Sequence, residues 1–273
     1  MVIAMPLFSC ILLVCSAAML QAQADAESVL NAATSTQCPD GAIAAITDFE
    51  AEMAVSLFEN EGAPPKTGKC HQWWQKDGKR RRYHRQLAVS GGKTTHLATD
   101  GLGMLLWEEG GKVQDLLGDP ALKDDLKTLR DELRRTEELL ETFMLSALRE
   151  EGVTWELASE PRKISRGDPA AEILVDVLTR KKKDAADLVL EIGRLDHRLY
   201  GVERTVATVR QSFRFDFHAH TRVGKDETAR RVLLPQRVEY IENGSVKLQA
   251  NARRVSALRL NGGIAASAFS PPK

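Results

Sequence analysis

The run from Thr67 to Val113 constrains the fold more than any other part of the chain: TGKCHQWWQKDGKRRRYHRQLAVSGGKTTHLATDGLGMLLWEEGGKV. Within it, Asp77-Gly78, Gly91-Gly92 and Gly110-Gly111 separate segments rich in Trp, Tyr, His, Leu and Val. Such dipeptides supply the positive φ that tight hairpins need, so the run reads as an antiparallel meander and not as parallel strands joined by crossover helices. A meander of this kind has an apolar face to bury, and the rest of the chain is expected to close over it.

Upstream, Phe49, Ala51, Met53, Val55 and Leu57 alternate with Glu50 and Glu52, the period-two pattern of a half-buried strand beginning at Asp48. Asp25 to Ala33 reads as a short helix with an acidic start, broken by Cys38-Pro39-Asp40-Gly41. Downstream, Asp119-Pro120 opens a long helix over 119–151, with Asp as cap and Pro in the first turn. Leu122, Leu126, Leu129, Leu133, Leu140 and Phe143 form its stripe, which widens beyond Leu139. That stripe suits a lid on the apolar face or a helix packed on the convex side, and its spacing also fits a coiled coil. The C-terminal half is β-rich: 153–157, 173–179, 188–192, 204–209, 213–221, 231–241 and 245–258 read as strands, the last two joined by Asn243-Gly244.

Residues 1–24 carry no charge, hold an apolar stretch from Leu7 to Leu20 and end in Ala22-Gln23-Ala24, the small-x-small pattern of a cleaved secretory signal. Residues 25–273 are then expected to form one soluble exported domain. Two cysteines would remain, Cys38 and Cys70, and in an oxidising compartment they are expected to pair as a disulfide. With 38 basic and 38 acidic residues the net charge is zero, which argues against a general nucleic-acid binder.

The chain contains no GxSxG elbow, HExxH, P-loop, GxGxxG or CxxC pair, so neither an enzyme nor a cofactor protein is expected. His218 and His220 project from one face of a strand without an evident third ligand; they read as solvated residues, and no metal is expected. Arg80-Arg81-Arg82 reads as edge-strand charge that blocks sheet-to-sheet association. An apolar concave sheet roofed by an amphipathic helix is physically a lipid or acyl-chain pocket.

The order of elements, with GKCHQWW, KDGKRRRYHR, ATDGLGMLLWEEGGKV and a closing AFSPP, resembles the periplasmic outer-membrane lipoprotein carrier (LolA-like) family. The matching positions are Gly68, Arg82, Asp100, Gly101, Trp107, Phe269, Pro271 and Pro272. The chain departs from the family where Asp77-Gly78 stands in place of an Arg-Pro whose Arg helps hold the lid, and in its longer helix. The resemblance implies an α+β fold, an incomplete antiparallel β-barrel with a helical lid, that binds lipoprotein acyl chains. It further implies exchange with an inner-membrane transporter and an outer-membrane receptor. The residues expected to line the hollow are Phe49, Met53, Leu57, Trp74, Leu105, Trp107, Phe213, Phe215 and Phe217, with Leu126, Leu133, Leu140 and Phe143 facing them from the lid. The other reading of the same fold is an envelope protein-interaction module that binds a partner through the long helix.

Overall fold

The computed structural model describes residues 25–39, 46–59, 62–145, 153–181, 188–206, 208–224, 230–251 and 258–271. The expected signal, 1–24, lies outside the described residues, as do 146–152 of the expected helix. The described residues form one 15-stranded sheet with two α-helices, curved and open, and not a closed barrel. Its strands run β6-β5-β4-β3-β2-β1-β14-β13-β12-β11-β10-β9-β7, with β15 against β1 and β12, and β8 against β9. All pairings are antiparallel except the short β12–β15 contact.

The meander is where the turn dipeptides place it. β2 (Lys66–Asp77), β3 (Arg80–Val89), β4 (Thr94–Thr99), β5 (Met104–Glu108) and the short β6 (Gln114–Asp115) pair in sequence. β1 (Asp48–Leu57) closes on β2 along its full length. Because the side-chain period of a strand is two, this register puts Phe49, Ala51, Met53, Val55 and Leu57 on the face of Cys70 and Trp74, and Glu50 and Glu52 on the other. The second half runs through β7 (Thr154–Leu157), β8 (Arg162–Gly167), β9 (Ala170–Lys181), β10 (Leu188–Gly193), β11 (Leu199–Val206), β12 (Val209–Val223), β13 (Arg230–Glu242), β14 (Ser245–Asn251) and β15 (Leu258–Leu260). At the β13–β14 hairpin, Asn243 and Gly244 take φ values of 48° and 86°, as the Asn-Gly pair requires.

The structure departs from the sequence reading in several places. β11 begins at Leu199, five residues before the expected strand, because its Leu199, Tyr200 and Val202 all find burial across β10 and β12. β8 lies in a segment read as a polar loop; it pairs with the first half of β9 and curls back over the outer face, where Ile164, Val175, Val177, Val189 and Tyr200 make a small separate core. β3, with Arg80 to Arg82, is an interior strand and not an edge, and Arg81 there reaches Glu137 of the long helix at 2.6 Å.

The helix α1 spans residues 25–37, and α2 spans Lys123–Met144 after a 3-10 turn at Pro120–Leu122 capped by the Asp119 side chain. α2 stops where Leu145 adopts a left-handed φ of 48°. It lies on the concave face of the sheet, so the convex-side and coiled-coil arrangements do not occur. Its first half sets Leu122, Leu126, Leu129 and Leu133 against Phe49, Trp74, Tyr83 and Leu97; its second half brings Leu139, Phe143 and Leu145 to Trp155, Leu178, Leu199 and Phe215. Ala26, Leu30 and Ala33 of α1 join that second core.

Gly68 shows why its position in β2 carries no side chain. A Cβ there would stand 2.3 Å from the carbonyl oxygen of Ala88, in the backbone of the neighbouring strand. Gly68→Ala is expected to force β2 and β3 apart and to lower unfolding free energy by about 1–3 kcal/mol, read as a fall in the urea midpoint. An unchanged midpoint would show that the strands yield at no energetic penalty.

Candidate functional site

Between α2 and the concave sheet lies a hollow of ≈520 Å³. Its wall is largely apolar, formed by Met53, Val55, Leu57, Cys70, Leu87, Val238, Leu248 and Ala250 of the sheet, Phe213 of β12 and Leu139 of α2. Alternation in β1, β2 and β3 supplies half of these residues, since every second residue of each strand faces the helix.

The roof is held by a polar cluster at one wall. Glu132, on the underside of α2, accepts from the Arg85 guanidinium and, at 3.2 Å, from the Tyr83 hydroxyl, which in turn accepts from Gln72 Nε2 at 3.0 Å. Burial pushes the Glu132 carboxyl above its ordinary value of 4.5, and the Arg85 charge works in the opposite direction. Burial likewise lifts the Tyr83 phenol well above its usual range. Arg85 is thus the buried cation that fastens helix to sheet, beside the more exposed Arg81–Glu137 pair, and nothing in its RYHRQL context sets it apart from its neighbours.

The residues expected from the sequence divide three ways. Met53, Leu57 and Phe213 line the hollow. Phe49, Trp74 and Phe215 face the same side but are packed into the cores: Phe49 stacks on Trp74 at 5.9 Å, and Phe215 is fully buried against Phe143 at 4.9 Å. Leu105, Trp107 and Phe217 do not face it. Met104 and Leu106 turn inward from β5 instead, which sends Leu105 and Trp107 to the outer face. There Trp107 lies parallel to His96 at 4.8 Å and near His84, which stacks on Trp73. Phe217 has a φ of 55°, which takes it out of the strand's alternation, and its ring lies 4.8 Å from the Arg237 guanidinium that pairs with buried Asp216.

On the lid, Leu126, Leu133 and Phe143 pack on the sheet. Leu140 lies within α2, with its side chain outside the described ones. The stripe expected to face either cargo or a partner is thus engaged with the protein's own sheet.

The expected Cys38–Cys70 disulfide is not formed. Cys70 faces the hollow between Met53 and Leu87, whereas Cys38 follows α1 and packs with Ile46 and Phe49. Burial pushes the Cys70 thiol up to about 12, so it remains protonated and inert. His218 also departs from expectation: it is partly buried, its Nε2 lies 2.8 Å from the Leu199 carbonyl, and desolvation lowers its pKa. His220 is exposed, as expected. On the outer face, burial lowers His84 to about 4; its Nδ1 lies 2.6 Å from the Ala268 carbonyl, so it donates there and tethers the C-terminal segment carrying buried Phe269. Among the described residues no three His, Cys, Asp or Glu gather to hold a metal, and no helix is long and apolar enough to cross a membrane.

No family model and no curated protein sequence matches the chain. Solved structures do. The chain is similar to a domain from Vibrio parahaemolyticus described as an outer membrane lipoprotein-sorting protein (13% identity, 89% of this chain and 97% of that one, TM-score 0.46). It is also similar to a DUF1329 family protein from Desulfovibrio piger (11%, 89% and 96%, TM-score 0.49) and to a LolA superfamily protein from Nitrosomonas europaea (11%, 90% and 97%, TM-score 0.43).

Arg85→Met would leave the Glu132 carboxyl buried without its cation, which is expected to destabilise the protein by about 3–5 kcal/mol at neutral pH. A carboxyl whose folded pKa is raised contributes most below its unfolded value and loses that contribution as pH rises. The deficit of the variant should therefore shrink as the pH falls towards 4.5, and Arg85→Met/Glu132→Leu should recover most of it at pH 7. Denaturant melts across this range check both; a deficit independent of pH would contradict the assigned role of Glu132.

Proposed function

We propose that this chain is a non-enzymatic, exported carrier that holds an acyl chain, of a lipoprotein or another lipid, in the hollow beneath α2 for transfer towards the outer membrane. The observation that carries this reading is the hollow itself: ≈520 Å³ of space walled mainly by aliphatic side chains, at the place where a filled core would otherwise lie. Cavities of that size and lining are typical binding sites for apolar ligands. Each methylene taken from water contributes about 0.8 kcal/mol, so affinity needs no reactive group. In this scheme α2 is the lid, and an inner-membrane donor and an outer-membrane acceptor are the partners.

The alternative, a module that binds a protein through the long helix, is disfavoured by the packing of Leu126, Leu129 and Leu133 onto the sheet. Leu87→Trp tests the carrier directly, because it fills the hollow without adding charge. Wild-type protein is expected to bind a fluorescent fatty acyl probe at one-to-one, and the variant, with an unchanged thermal midpoint, to bind it at least tenfold more weakly. Equal binding by a folded Leu87→Trp variant would place the acyl site elsewhere.

A further inference from the structure

The hollow is not uniformly apolar, and the position of one lysine shows what its polar part is for. In β14, Leu248 pairs with Tyr240 and Val246 with Ile241, so Lys247 is an extra residue that no β13 residue opposes. Strict alternation would send Lys247 to the face opposite Leu248; the bulge re-aims it, and both line the hollow. Arg135 of α2 comes to the same place from above, its guanidinium 5.3 Å from the centre of the Tyr240 ring. Arg135 and Lys247 thus join Tyr240 in the polar part of the lining, Arg135 lying over the Tyr240 ring.

Neither cation forms a close ion pair with a carboxylate, although the Arg135 charge acts on Glu132. Among the described residues Lys247 and Arg135 form no ion pair within 4.0 Å; the Arg135 Nε donates only to the Asp131 carbonyl of its own helix, at 3.2 Å. The carboxylates nearby are already engaged. Glu132 is held by Arg85 and Tyr83, and Glu242 accepts from the Tyr240 hydroxyl. Three cations against two carboxylates line the hollow, an imbalance that one bound anion corrects.

Volume limits the rest of the ligand. At ~30 Å³, the share of one liquid water and close to that of a methylene, ≈520 Å³ holds roughly seventeen such groups. That is room for one long acyl chain with a small head. We propose that the occupant is a single-chain lipid with an anionic head, a carboxylate or a phosphate, whose charge lies between Lys247 and Arg135 and whose chain runs along Met53, Leu87 and Leu139. This inference rests on the acyl-pocket reading above and narrows it.

The test is titration of delipidated wild-type protein with palmitate, 1-palmitoyl lysophosphatidic acid, neutral monopalmitoylglycerol and a synthetic triacylated lipopeptide. Palmitate and lysophosphatidic acid are expected to bind at one-to-one, the tighter of the two identifying the head, and monopalmitoylglycerol at least tenfold more weakly. Lys247→Gln should abolish that preference while leaving the neutral ligand unaffected, and Lys247→Arg should retain it. Equal affinity for charged and neutral single chains, an unchanged preference in Lys247→Gln, or tighter binding of the lipopeptide than of palmitate would overturn the head-group assignment while leaving an acyl pocket in place. Uptake of none of the four would overturn the acyl-pocket reading itself and this inference with it.

Discussion

A curved sheet with an apolar concave face has to be covered, and here helices cover it, the long one spanning both halves. α2 touches both halves of the sheet: Leu126, Leu129 and Leu133 bury against the meander, and Phe143 and Leu145 against the strands of the C-terminal half. Packing alone would let such a helix slide. The Arg85–Glu132 pair fixes its height and rotation, because both charges are inside and each needs the other to remain there. Between the two packed ends the helix and sheet do not fully meet, and the space left over is the hollow.

Much of this was legible in the chain. Hairpin dipeptides and the strict alternation of β1 depend on local rules, backbone φ and a period of two, so Phe49 to Leu57 and the order of the meander followed directly. The helix was visible from its Asp119-Pro120 start and its leucine spacing. Failures came where the local rule had two answers. MLLW in β5 is apolar at every position, so only the pairing of Leu106 with Leu97 and of Trp107 with His96 decides which side faces inward. FRFDFHAH alternates perfectly, yet the backbone of Phe217 leaves the strand conformation and its ring goes to Arg237.

The functional residues least visible in the sequence are those whose role depends on a distant partner. Arg85 gains its meaning from Glu132, forty-seven positions away, and Lys247 from a bulge that shifts register by one residue. Two cysteines behind an expected secretory signal suggest a bridge, but spacing says nothing of which face each occupies; Cys70 belongs to the wall of the hollow and Cys38 to the packing beyond α1. Charged residues that look like surface decoration, such as Arg81, serve instead to hold the helix on the sheet.

The account stands on the hollow being an occupied space and not a gap left by imperfect packing. Native mass spectrometry of the protein isolated from the cell envelope without detergent, followed by lipid extraction, addresses this directly. A protein–lipid mass at near one-to-one, with the lipid released on unfolding, is the result expected. A bare protein mass that also fails to take up added acyl lipid would contradict it.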